Sequence, residues 1–358
     1  MPTLNEALPG ARATMASFLE SFYRPNRLVV FCHFDADGLA AGALLCRGLA
    51  RLGFSDVEVV ASERGESAFS DAARERIAAL DPDGLIVTDL GVHRDGVLPD
   101  VPTLYIDHHR PEGRPAGAAV ISGYGWDPIP NSAWLAYDLL APLADVTDLS
   151  WIAAVGTISD LGERAPWPEL AEVKKRYTAR WLKEAVALVN AARRASAFDV
   201  ETPLSLLLEA DGPRAISEDD THGADRLRAY RVEVNAALAE GRKRAPVFSA
   251  DRPFALVTVD SACQIHPLIA QQWRGRLPNY AVLAANRGYL PGVVAFSART
   301  ARTDLNLPVI LQGIDLGDFN GRFGYGHDQA SGGQLPPQAF DRLLDALGFG
   351  SGAHVAGG

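Results

Sequence analysis

The first half of the chain alternates short apolar, strand-like runs with helix-spaced runs, and several of the apolar runs stop at an acid or a histidine. "RLVVFCH" (27–33) precedes "GLAAGALLCRGLARLG" (38–53), and "VEVVAS" (57–62) precedes "DAARERIAAL" (71–80). "GLIVTD" (84–89), "TLYIDHH" (103–109) and "AAVISG" (118–123) add three β-type runs bounded by Gly, Pro and Asp. Such near-continuous apolar strands, spaced by helices, predict a largely parallel sheet covered on both faces. Ligands of these sheets bind at the carboxyl ends of the strands. Asn131 or Ser132 is placed to cap the helix "AWLAYDLLAPL", and "SWIAAVGTI" (150–158) is apolar enough to be buried on every side.

Beyond about residue 165 the pattern turns charged, alanine-rich and helical, as in "AEVKKRYTARWLKEAVALVNAARR". Strand–helix alternation resumes with "PFALVTVDS" (253–261), "IHPLIAQQWRGRL" (265–277), "YAVLAANRG" (280–288) and "GVVAFSART" (292–300), followed by a glycine-dense loop and the helix "PQAFDRLLDALG" (337–348). The expected architecture is α/β. A doubly wound, mainly parallel domain covers 1–165, a helical connector 166–250, a smaller C-terminal α/β domain 251–350, and a flexible tail 351–358. The active-site cleft is expected between the two α/β domains.

Charge narrows the partners. With 44 acidic and 34 basic residues the net charge is −10, which argues against a broad basic surface gripping long duplexes through their phosphates. Cys32, Cys46 and Cys263 have no metal-ligand spacing and make no even disulfide framework. They read as small apolar residues in a reducing, cytoplasmic compartment. No run approaches the ~20 apolar residues of a membrane span, so no membrane partner is expected.

The chemistry concentrates where the apolar runs end. "HFDADG" sets His33, Asp35 and Asp37 at alternate positions, Asp89 closes "GLIVTD", His108 lies in "DHH", and Asp160 follows "VGTIS". An EF-hand would need a bidentate Glu where Leu44 stands, and would start from a helix, so that reading fails. A plain reading gives Asp35 and Asp37 turn and helix-cap hydrogen bonds. If the run ends converge on one sheet edge, however, four carboxylates and two imidazoles crowd one cleft, and they cannot all stay charged without cations. The mixed oxygen and nitrogen set suits two divalent ions sharing one carboxylate, with Mn²⁺ favoured and Mg²⁺ or Co²⁺ as alternatives.

"HFDADG", "TDLG", "DHH" and "GTISD", in this order, resemble the four motifs of the DHH phosphoesterase superfamily, which includes RecJ-like exonucleases, nanoRNases and cyclic-dinucleotide phosphodiesterases. "FSARTARTDLNL" and "GRFGYGHDQASGGQLP" are similar to the DHH-associated C-terminal domain, although Tyr325 interrupts its usual glycine run. The resemblance implies His33, Asp35 and Asp89 at one metal, and Asp37, Asp89, His108 and Asp160 at the other, with Asp89 bridging. It further implies that Asp107 orients its neighbours and that His109 serves the scissile phosphate. Arg299, Gly324, Gly326, His327, Gly332 and Gly333 would bind the substrate from the second domain. His266 and His93 are weaker candidates, and Trp126, Trp134, Trp151 and Trp273 read as core residues before stacking platforms.

The implied activity is two-metal hydrolysis of short single-stranded RNA or DNA, or of small nucleotides such as dinucleotides, by an exonuclease-type phosphodiesterase. The alternatives are a RecJ-like 5′–3′ exonuclease of long single-stranded DNA and a catalytically inactive replication scaffold. A homodimer is compatible with the sequence.

Overall fold

Strand β1 (Leu28–Cys32) lies inside a five-stranded sheet between β2 (Val57–Ala61) and β3 (Gly84–Thr88), and β4 (Thr103–Asp107) and β5 (Ala119–Ser122) extend the sheet beyond β3. Every pairing is parallel. The strand order 2-1-3-4-5 reverses direction at β1, which opens a crevice between the carboxyl ends of β1 and β3. This computed structural model describes residues 1–23, 26–218, 221–318 and 323–356. The chain forms two units, one of 1–193 with 198–229, the other of 194–197 with 230–358.

In the first unit α1 (Leu4–Glu20) precedes the sheet, and α2 (Ala36–Arg51) and α3 (Asp71–Ala78) follow β1 and β2. The three central strands, β1, β3 and β4, are buried throughout. Val29, Phe31, Leu85, Val87 and Tyr105 pack with Ala73 and Ile77 of α3, while Cys32 faces α2 so closely that a Cβ on Gly42 would come within 2.9 Å of its sulfur. Helices α4 (Ser132–Leu140) and α5 (Ser150–Leu161) pack against α2 and against each other. Residues 150–158 of α5 are buried throughout, as their apolar character predicts. The stretch expected to be a separate connector contains α6 (Leu170–Tyr177), α7 (Ala179–Arg194), α8 (Glu201–Glu209), α9 (Pro213–Glu218) and α10 (His222–Gly241). Up to Ala229, most of it belongs to the first unit, because amphipathic faces such as that of α7 bury Leu182, Leu188 and Val189.

The second unit holds a six-stranded sheet built from β6 (Val247–Phe248), β7 (Phe254–Val259), β8 (Ala281–Asn286), β9 (Val294–Thr300), β10 (Phe323–His327) and β11 (Ala330–Leu335). Its order is 10-11-9-8-7-6, with only the β7–β8 pair parallel. Helices α11 (His266–Arg276), α12 (Leu307–Gln312) and α13 (Pro337–Ala346) complete it. Alternation along β7 feeds two cores, Phe254 and Leu256 on one face, Ala255, Val257 and Val259 on the other.

Two segments differ from their expected form. The glycine-dense segment is a β-hairpin, β10 to β11, in place of the open loop its composition suggests. The expected flexible tail is anchored as far as residue 356, since Asp341 accepts the Val355 and Ala356 N–H groups at 2.7 and 3.0 Å and His354 meets Asp345 at 2.7 Å; its last two residues lie outside the described residues. Among the described residues no helix is long and apolar enough to cross a membrane.

Candidate metal centre

The segments that follow β1, β3 and β4 deliver side chains to the carboxyl edge of the sheet, where these strands end. His33 follows β1, with its N–H donating to the Thr88 carbonyl at 3.3 Å. Asp35 caps α2, accepting the N–H groups of Asp37 and Gly38 at 3.1 Å each, so the cap reading of the motif is fulfilled without removing Asp35 from the crevice. The glycine of "DADG" has a steric reason, since a Cβ on Gly38 would lie 2.4 Å from the His33 carbonyl oxygen. Asp89 follows β3 at φ 62°, a left-handed conformation that Asp tolerates better than most residues and that marks sites where the surroundings fix the backbone.

The six expected donors meet. His33 Nδ1 lies 3.3 Å from Asp35 Oδ1 and 3.6 Å from Asp89 Oδ2, and His108 Nε2 lies 3.3 Å from Asp89 Oδ1 and 3.8 Å from Asp37 Oδ2. His108 Nδ1 is 4.0 Å from Asp160. Donor atoms of His33, Asp35 and Asp89 lie within 4.8 Å of one another, and so do those of Asp37, His108 and Asp160. Asp89 turns one oxygen to each group. Asp160 reaches the cluster from the last turn of α5, not from a strand end as the convergence argument assumes. His109, with Asp89 and His108, forms a third group of such atoms.

The electrostatics show how strongly this site calls for positive charge. Burial disfavours imidazolium at His33 and His108, yet Asp35 and Asp89 around the first, and Asp89, Asp37 and Asp160 around the second, outweigh it and lift both to about 10. Burial, with Asp89 and Asp160, drives the Asp37 carboxyl well above its ordinary range, and burial with Asp89 and Asp35 raises Asp160. Against its own burial, Asp89 is held far below the usual carboxylate range by hydrogen bonds from His108 and His33. Without cations, protons on the histidines and on carboxylates would have to balance the cluster. Divalent cations would displace those protons, and a donor set of four carboxylates and two imidazoles in two neighbouring groups fits them.

Of the neighbours that hold these donors, the sequence shows Asn131 and Ser132 only as helix-cap candidates. Asn131 stands at the N-cap of α4 but makes no capping bond; its Nδ2 instead donates to Asp37 Oδ1 at 2.5 Å, and its Oδ1 accepts the Thr157 hydroxyl at 3.0 Å. The N–H groups of Ser132 and Ala133 also donate to Asp37, at 3.0 and 2.8 Å, and the Ser132 hydroxyl donates to Asp89 Oδ1 at 2.9 Å. Asp37 therefore sits on the positive end of α4. Its Oδ1 takes the Asn131 and Ala133 donors, while Oδ2 accepts the Ser132 N–H and also faces His108 at 3.8 Å. Asp107 is buried and accepts the Gly91 N–H at 2.7 Å and the His109 N–H at 2.6 Å, and lies 3.0 Å from the His109 ring Nδ1.

The expected substrate-binding residues all lie in the second unit. Arg299 on β9 donates to the carbonyls of Ala298 and Ser331 at 3.0 and 3.2 Å. Gly324 and Gly326 are on β10 at φ 78° and 130°, His327 ends that strand, and Gly332 and Gly333 are on β11. Two of these glycines answer to packing. A Cβ on Gly326 would lie 2.3 Å from the Ala330 carbonyl oxygen, and one on Gly332 2.5 Å from that of Phe296. Trp134 and Trp151 are fully buried, as core residues should be. His266 is buried against Tyr289, and His93 pairs with Asp95 at 3.4 Å.

No protein-family model matches the sequence. The single-stranded-DNA-specific exonuclease RecJ of Thermus thermophilus is 30% identical over 175 residues, which is 45% of this chain and 26% of that protein, so the match spans about a quarter of the relative. The structure of RecJ from Thermus thermophilus in complex with Mn²⁺ superposes with TM-score 0.69 at 20% identity, covering 94% of this chain and 54% of its own. An exonuclease RecJ bound to manganese gives 0.67 at 20% identity over 97% and 94% of the two chains. The DHH domain of a member of a family of ribosomal proteins gives 0.68 at 15% identity over 96% and 90%. At these identities the structural likeness is one of fold. It is the fold expected from the four motifs, shared with RecJ and with a DHH domain.

Proposed function

We propose that this chain is a metal-dependent phosphodiesterase that releases nucleotides from an end of short single-stranded nucleic acid. The observation that carries the reading is the position of Asp89, whose Oδ2 lies 3.6 Å from His33 and whose Oδ1 lies 3.3 Å from His108. His33, Asp35 and Asp89 would hold one divalent cation, and Asp37, Asp89, His108 and Asp160 a second, with Mn²⁺ the favoured ion. When bound, such a pair neutralises charge on a phosphodiester and acidifies water for in-line attack.

The remaining work belongs to the protein's own groups. Asn131, Ser132 and the N-terminus of α4 hold Asp37 and Asp89 in fixed orientations. Asp107 engages Nδ1 of His109, which leaves Nε2 to hold or release a proton at a phosphate or leaving oxygen. The net charge of −10 favours short substrates over long strands. The relatedness to RecJ favours a second reading, processive digestion of longer single-stranded DNA. A complete donor set argues against an inactive scaffold.

Purified protein with Mn²⁺ should be incubated side by side with dinucleotides, cyclic dinucleotides, 3′-phosphoadenosine 5′-phosphate and a length series of labelled DNA and RNA. Preferred cleavage of the shortest oligomers supports the first reading, and preference for chains longer than about ten nucleotides supports the second. No hydrolysis of any of them would leave the scaffold.

A further inference from the structure

Beside the donor cluster, the first unit carries a pair of aromatic rings that the proposed chemistry does not use. Phe34 lies in sequence between His33 and Asp35, and its ring centroid is 4.2 Å from that of His33. Phe198, in the turn between α7 and α8, meets Phe34 edge to face at 5.2 Å and 74°. The guanidinium carbon of Arg64 lies 5.1 Å from the centroid of Phe198, and that of Arg193 lies 5.8 Å from the centroid of Phe34. Both rings are only half-buried.

The backbone, more than the core, fixes the Phe198 ring. Phe198 is at φ 50°, a left-handed conformation that a bulky side chain keeps only where its surroundings impose it. The imposing groups follow at once. The Asp199 N–H donates to the Ala192 carbonyl at 3.2 Å, and its carboxylate accepts the N–H and hydroxyl of Thr202 at 2.9 and 2.5 Å and an N–H of Arg226 at 3.4 Å. The turn is tied directly after the ring, at Asp199.

Flat apolar rings touching a cluster of acids and imidazoles, with arginines over them, match the chemistry of a nucleobase, which stacks on aromatic faces and guanidinium planes without regard to sequence. A phosphodiester at the donor cluster brings its own nucleoside within a few ångströms of His33, and so of Phe34. We propose that Phe34 and Phe198 form a stacking ledge for the base of the nucleotide whose phosphate sits at the cluster, an assignment that rests on the reading of this site as a phosphodiesterase centre. The ledge makes the preferred substrate base-bearing: sugar phosphates and polyphosphate, which lack a π face, would bind without its contribution. Any of the four bases would be accepted.

The test separates binding from chemistry. The full-length chain with Mn²⁺ is titrated calorimetrically with adenosine 5′-monophosphate and with ribose 5-phosphate, alongside Phe34→Leu, Phe198→Leu and Phe198→Trp. The parent chain should bind the nucleotide about tenfold more tightly than the sugar phosphate. The two leucine variants should lose that preference while keeping their affinity for ribose 5-phosphate, which also shows that they fold, and Phe198→Trp should retain it. Equal affinity of the parent for both ligands, no binding of either, or an unchanged preference in both leucine variants overturns the ledge. Base preference that persists in a chain without hydrolytic activity supports the ledge and overturns only the phosphodiesterase reading.

Discussion

Asn131 and Asp37 are 94 residues apart in sequence and joined by a buried hydrogen bond of 2.5 Å, with Thr157 fixing the other end of the Asn131 amide. The bond orders a carboxylate that must stay in place whether or not a cation neutralises it. Replacing Asn131 by Ala leaves both Asp37 and Thr157 short of a partner in a buried pocket, at a cost of about 1–3 kcal/mol. The Asn131→Ala variant should unfold at lower denaturant concentration and bind Mn²⁺ about 10- to 100-fold more weakly. Parent-like Mn²⁺ affinity would show that α4 alone positions Asp37.

Gly156 on α5 tests the same pocket from another side. A Cβ there would lie 2.4 Å from the Ala133 Cβ and 3.0 Å from Asp37 Oδ1. Gly156→Ala must push α5 away from α4, with an overpacking cost of about 1–3 kcal/mol. Thermal denaturation measures it, and an unchanged melting temperature would mean that the helices separate freely.

Asp107 is expected to act through His109. In Asp107→Asn an amide NH₂ faces either the Gly91 N–H or the His109 N–H and ring nitrogen, and one of these contacts is lost. The kcat on a dinucleotide should fall about 100-fold with little change in KM or in Mn²⁺ affinity. A rise in KM at constant kcat would assign Asp107 to substrate binding.

Asp138, on α4 but outside the donor set, predicts a pH dependence of stability. Burial raises its carboxyl from 3.8 to about 7, against the hydrogen bond from the Trp134 indole. The folded chain therefore holds a proton that the unfolded chain releases above 3.8. This stabilisation is complete below the unfolded value and is lost as pH rises through about 7. At about 1.4 kcal/mol per pKa unit it is bounded at roughly 4 kcal/mol. Urea denaturation at pH 5 and pH 8 should show a smaller difference for Asp138→Asn than for the parent; equal differences would mean that Asp138 titrates normally.

Much of this arrangement is legible in sequence because buried parallel strands announce themselves as apolar runs. The strands expected at 27–33, 57–62, 84–89, 103–109 and 118–123 appear as β1 to β5 within two residues at each end. The donors are legible because acids and histidines at strand ends have few other reasons to cluster. Helix α1 escapes such a reading, since Pro9 and Gly10 interrupt its pattern, and the β10–β11 hairpin resembles a loop because glycines there serve close backbone packing. Asn131 and Thr157 are invisible in sequence as anchors of Asp37, for their pairing is purely tertiary. Phe34 and Phe198 likewise come together only through the fold.

In the proposed centre Asp89 serves both donor groups at once. Titration of the purified chain with Mn²⁺, followed by electron paramagnetic resonance, should show two bound ions per chain, and Asp89→Ala should lose tight binding of both. Absence of tight Mn²⁺ binding by the parent, or two ions held as tightly by Asp89→Ala, would contradict it.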